Sequence, residues 1–170
     1  MDVKSKSLVF KSKLVLIGLA FAIPSLQSQA GTSSTVMAVS VTVLTACVVS
    51  ATPLAFGAYD TNAGVVDGSA SINVACTGGS SYTIALGAGL GAGATLATRK
   101  MSTGLGTLNY SIYTDNTYVT VWGDGTGSSA VVSGSGILGT KIHNVYGRIP
   151  ATQAVNQGVY TDVVSVNLSY

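Results

Sequence analysis

Few side chains past the first 30 residues of this 170-residue sequence are suited to chemistry: His143, Cys47, Cys76, Trp122, and the aspartates Asp60, Asp67, Asp115, Asp124 and Asp162. The sequence contains no glutamate, so an acid tuned for proton transfer would have to be one of these aspartates. Each of the five sits in or beside a turn-like segment, where aspartate ordinarily accepts hydrogen bonds from nearby backbone N–H groups. The sequence has one histidine and no G-x-S-x-G elbow, the signature of an α/β-hydrolase nucleophile. No catalytic residue and no enzyme activity is expected.

Two glycine-rich runs imitate a dinucleotide fingerprint, Gly87-Ala88-Gly89-Leu90-Gly91-Ala92 and Gly134-Ser135-Gly136-Ile137-Leu138-Gly139. The fingerprint works only where a helix N-terminus meets the pyrophosphate inside a βαβ unit. Here Thr140 to Tyr146 reads as another strand, so no cofactor is expected. A structural zinc needs about four Cys or His ligands; with one histidine and no CxxC, no metal is expected. Trp122, beside Val119 and Val121, is either an ordinary strand residue or a sugar-stacking platform shared with neighbouring tyrosines. Asn109-Tyr110-Ser111 and Asn167-Leu168-Ser169 match glycosylation sequons, and both fall in expected strands.

The first 30 residues differ in kind from the rest. Lys4, Lys6, Lys11 and Lys13 precede the apolar run Leu14 to Ile23, and Ser28-Gln29-Ala30 supplies small residues before a cut. That is the layout of a secretory signal peptide over residues 1–30. The run is too short for a membrane span of about 20 residues, and a soluble exported mature protein starting near Gly31 is expected. Without the leader the charges are Arg99, Lys100, Lys141 and Arg148 against the five aspartates, a balance of −1. Lacking a basic cluster, the mature chain is a poor partner for nucleic acid, whose phosphates demand Lys and Arg. So low a charge leaves little barrier to association with protein. Export also places Cys47 and Cys76 where disulfides persist; a pair would close a loop of about 30 residues, the alternatives being two buried thiols or part of a metal site.

The elements that must carry these residues repeat with period two. Met37, Val39, Val41 and Val43 alternate with smaller residues, Ile72 and Val74 lead to Cys76, and Tyr82, Ile84 and Leu86 follow a Thr77 to Ser81 turn. Leu108 to Tyr113, Tyr118 to Trp122, and Val164, Val166, Leu168 and Tyr170 continue the pattern. Breakers fall at Thr77 to Ser80, Gly123-Asp124-Gly125 and Ser133 to Gly136, while Gly87 to Ala97 reads as a wide loop or a degenerate strand. Short strands with regular turns and no amphipathic helix predict a one-domain all-β antiparallel sandwich. Its first strand is a liability: a long uncharged apolar edge usually carries Lys or Pro to prevent association. Such a segment suits addition to another subunit's sheet, and head-to-tail repetition of that contact generates a filament.

An ordered set of motifs then becomes specific. Thr52-Pro53-Leu54-Ala55-Phe56-Gly57-Ala58-Tyr59-Asp60 carries an FG-x-Y pattern, followed by Arg99-Lys100-Met101, Leu108 to Asp115, Val121-Trp122-Gly123-Asp124-Gly125-Thr126, Val145-Tyr146-Gly147-Arg148-Ile149-Pro150 and Gly158-Val159-Tyr160-Thr161-Asp162. Over residues 36–170 this set resembles the spore coat U domain family, which includes the major subunits of archaic (Csu-type) chaperone–usher pili. The resemblance implies an incomplete immunoglobulin-like β-sandwich that lacks its last strand. A periplasmic chaperone would fill the gap first, and the N-terminal segment of the next subunit would replace it at an outer-membrane usher.

Carried onto this sequence, the resemblance makes 31–45 the donor segment with Met37, Val39, Val41 and Val43 as donor residues, and 46–170 the pilin domain. Val164, Val166, Leu168 and Tyr170 would form the final strand bordering the acceptor groove, and Cys47 and Cys76 match the family's disulfide. The implied partners are other pilin subunits, in a homopolymer or mixed assembly, together with the chaperone and the usher. The implied place is the extracellular pilus or cell surface, reached through the periplasm, with a role in attachment and biofilm. A spore-coat or envelope protein, or a carbohydrate-binding adhesin module, is the alternative.

Overall fold

The computed structural model describes residues 30–62, 64–136 and 139–170. The expected leader therefore lies outside the described residues except for Ala30. The chain divides into two units at Ser40 and Val41. In the first, residues 30–40 carry no strand pairing, with Met37 and Val39 each 86% exposed.

The second unit is all-β, with eight strands among the described residues: β1 (Cys47–Ala51), β2 (Val66–Cys76), β3 (Ser81–Leu86), β4 (Arg99–Ser102), β5 (Thr107–Tyr113), β6 (Val132–Ser135), β7 (Thr140–Ile149) and β8 (Val166–Ser169). They form an immunoglobulin-like sandwich of one sheet ordered β1-β2-β7-β5-β4 and one ordered β6-β3-β8, with every pairing antiparallel. Among the described residues no helix is long and apolar enough to cross a membrane.

Period two sends alternate residues of each strand inward. Ile72 and Val74 of β2, Val145 and Ile149 of β7, and Leu108, Tyr110 and Ile112 of β5 meet Tyr82, Ile84 and Leu86 of β3 in the core. Cys47 and Cys76 are disulfide-bonded and face one another across the β1–β2 ladder.

Several expectations differ from the structure, for local reasons. Met37 to Val43 is not a paired strand among the described residues, and Val41 and Val43 remain exposed. Tyr118 to Trp122 makes only isolated bridges, Tyr113 with Val121 and Trp122 with Ala130. Asp115 breaks that run: its carboxylate accepts the N–H of Thr117, Val119 and Thr120 and the Thr117 hydroxyl, coiling the backbone into a turn. These bonds to the charged form pull Asp115 down to about 2, the Thr117 hydroxyl contributing most. Ser133 to Ser135, expected as a breaker, belongs to strand β6, and Gly134 is there because a Cβ would lie 2.5 Å from the Tyr82 ring. Asp67 is not in a turn; it lies in β2 and forms a two-bond ion pair with Arg148 of β7.

Candidate functional site

The site is a furrow between two segments, one running from the end of β1 to Thr61 and the other from Val155 to the start of β8, floored by both sheets. One part, about 420 Å³, runs over Ala70, Ile72, Leu86, Tyr110, Ile112 and Val145. A second part, about 820 Å³, runs over Leu108 and Ile149, and the two share Leu54, Phe56, Met101 and Tyr160. Apolar floor residues in an open groove mark a site that takes an apolar occupant.

The first wall is built by the FG-x-Y motif. Gly68 of β2 and Gly147 of β7 are register partners facing the interior, and together they leave a socket with no side chains. A Cβ on Gly147 would come within 2.7 Å of both Leu54 Cδ2 and the Phe56 ring, so only glycine lets these side chains settle there. Phe56 then meets Tyr110 edge to face at 5.9 Å. Gly57 turns the chain at φ 72°, and Tyr59 ties it down by donating to the Pro150 carbonyl and accepting from Gln153 N–H. The Gln153 amide in turn pairs with both backbone groups of Asn109 in β5.

The second wall is the segment that leads into β8. Thr161 exchanges backbone bonds with Ser102, and the Ser165 carbonyl accepts from Gly87 N–H. Alternation then turns the backbone groups of Val164, Val166 and Leu168 to the opposite edge. β8 is bonded on one side only, to β3, and no strand covers its other edge among the described residues. The groove thus combines apolar pockets with an open backbone edge.

Arg99 anchors the surroundings. Its side chain is fully buried and donates to three carbonyls, Gly87 at 2.9 Å, Leu96 at 3.0 Å and Trp122 at 2.7 Å. Burial lowers its pKa, while Tyr110 and Asp162 act in the opposite direction. Tyr110 donates to Asp162 Oδ2 at 2.7 Å; burial first, and this bond second, push the hydroxyl well above its ordinary value. It therefore remains a donor at any physiological pH.

Of the expected groove residues, Val164 and Val166 line the groove. Leu168 packs against the core farther along β8, and Tyr170 lies past its end, 59% exposed. Trp122 offers no sugar platform: it is fully buried, with its indole N–H on the Ile84 carbonyl. His143 pairs with Tyr82 and stands apart from the groove. Sequence reasoning missed Leu54, Phe56, Met101, Tyr160 and Asp162 as wall and floor residues, although all five stand inside the motifs singled out above.

Comparison with known proteins agrees with this architecture. Protein U of Myxococcus xanthus is 36% identical over 129 residues, covering 69% of this chain and 71% of that protein. A chain in the crystal structure of the CsuC–CsuE chaperone–tip adhesion subunit pre-assembly complex, from the archaic chaperone–usher Csu pili of Acinetobacter baumannii, superposes with a TM-score of 0.53 at 21% identity. The match covers 76% of this chain and only 40% of that one, so it speaks for the fold. The profile of the Spore Coat Protein U domain matches residues 33–167, and the chain belongs to that family.

Proposed function

We propose that this protein is an exported structural subunit of a chaperone–usher pilus, polymerising by donor-strand exchange for surface attachment. The observation that carries the reading is the open β8 edge above an apolar groove, in a chain whose own residues 37–43 present Met37, Val39, Val41 and Val43 exposed at alternate positions. A strand laid along β8 would satisfy its free backbone groups and bury apolar side chains worth about 1.5–3 kcal/mol each. The next subunit's segment 31–45 occupies this subunit's groove; a periplasmic chaperone holds the groove beforehand and an outer-membrane usher is the site of exchange. Residues 1–30 act as the export leader and 46–170 as the pilin domain.

The test is the state of the full-length chain on unboiled denaturing gels and by electron microscopy. A ladder of resistant oligomers is expected, lost on deleting residues 31–45 while chaperone binding survives. A stable monomer indifferent to that deletion overturns the proposal. The family's coat-protein name favours a second reading, a coat or envelope layer built by the same contact. Sheets or layers in place of thin fibres would select it. The adhesin alternative loses its chosen residue, because Trp122 is buried.

A further inference from the structure

The run Gly87-Ala88-Gly89-Leu90-Gly91, which imitates a nucleotide loop in sequence, is a ledge beside the second groove wall. Each of its three glycines faces a neighbour too close for a side chain. A Cβ would lie 2.4 Å from Ser165 Oγ at Gly87, 2.1 Å from Asp162 Oδ2 at Gly89, and 2.1 Å from the Lys100 carbonyl at Gly91. Two of these neighbours, Asp162 and Ser165, belong to the wall. The ledge is itself held by Arg99 through the Gly87 carbonyl.

Asp162 is the charged residue among those lining the apolar 420 Å³ part of the groove. Its Oδ1 accepts the N–H of Leu90 and of Val163, both at 2.8 Å, and its Oδ2 accepts the Tyr110 hydroxyl. One carboxylate thereby fastens the wall to the ledge on one side and to β5 on the floor. The residues next along the chain, Val164 and Val166, carry the backbone groups that face the open edge. A wall left free would sample many positions, and strand uptake would be weakened by the fraction of time it is misplaced.

We infer that Asp162 is a positioning residue for strand uptake, which, with the Gly87 to Gly91 ledge, holds the unpaired edge ready for an incoming strand. This rests on the donor-strand reading above, and the test separates the two. The probe is a fluorescent peptide of residues 33–46, its binding followed by anisotropy. The acceptor is the full-length chain carrying Val41→Asp, so that its own segment does not compete.

With Asp162 intact, binding is expected; its absence overturns the donor-strand reading and this inference with it. Asp162→Ala and Gly89→Ala are each expected to weaken binding at least tenfold while the far-ultraviolet circular dichroism is retained. Asp162→Asn keeps an amide oxygen for the two backbone donors and is expected to stay within about threefold of the parent. Equal affinity in Asp162→Ala, or equal losses in the Ala and Asn variants, overturns the positioning role alone. Should Asp162→Ala fail to fold, Tyr110→Phe decides: it keeps the ring in the core, a severalfold loss is expected, and unchanged affinity overturns the role.

Discussion

The Tyr82 hydroxyl lies 2.8 Å from His143 Nε2, joining β3 of one sheet to β7 of the other, with the two rings edge to face at 5.7 Å. Burial, and secondarily Lys141, lower the His143 pKa below its ordinary 6.5. The neutral imidazole is thus the form the fold favours, and between the two pKa values the unfolded chain binds more protons than the folded one. Stability is expected to be full above about pH 6.5, the reference histidine value, and to fall as the pH drops toward the folded-state value. Denaturant midpoints at pH 7.5 and pH 5 measure this, and His143→Gln should flatten that part of the profile.

Arg99→Ala is expected to destabilise the domain by about 3 kcal/mol, because the buried Trp122 carbonyl and the part-buried carbonyls of Gly87 and Leu96 lose their donors together. Arg99→Lys should recover little, since an ammonium lacks the planar fork that reaches carbonyls on three separate segments. Guanidinium unfolding of both variants checks this, and near-wild-type stability of the lysine variant would contradict it.

Gly147→Ala should cost about 1–3 kcal/mol through overpacking against Leu54 and Phe56. The Leu54 to Tyr59 wall is expected to loosen in consequence. Hydrogen exchange at the Gln153 amide, which donates to Tyr59 Oη, would report that loosening directly, and unaltered protection would contradict it.

Val41→Asp should abolish polymer, because it would bury an unpaired charge in the neighbour's groove. Thr42→Asp, on the opposite face of an extended segment, should be far milder. Polymer yields from the two full-length variants compare them; equal effects would refute the assigned register.

Replacing Cys47 and Cys76 together by serine should cost roughly 3 kcal/mol, since the bond closes a 29-residue separation. Thermal unfolding under non-reducing conditions measures the difference, and an unchanged midpoint would rule it out.

The class of fold was legible in the sequence because period two survives in the strands that bury one face. Ile72 and Val74, Tyr82 to Leu86 and Leu108 to Ile112 are all where alternation places them. Tyr118 to Trp122 misled because one carboxylate, Asp115, captures the backbone N–H groups of Thr117, Val119 and Thr120 and turns a strand-like run into a loop. The family motifs were legible as a set, yet their purpose was not: Phe56, Gly147, Tyr59 and Gln153 come together from separate segments.

Sequence alone determined that the chain is a β-sandwich with two cysteines, few charges and an unblunted apolar segment at residues 37–43, since each of these depends on residue type and local spacing. Tertiary structure alone decided that β8 has one open edge among the described residues, that a glycine socket seats the first wall, and that Gly89 and Leu90 lie against Asp162. The physical reason is distance along the chain. Asp162 meets Leu90 and Tyr110 across 72 and 52 residues, and no local periodicity encodes which remote carboxylate a glycine makes room for.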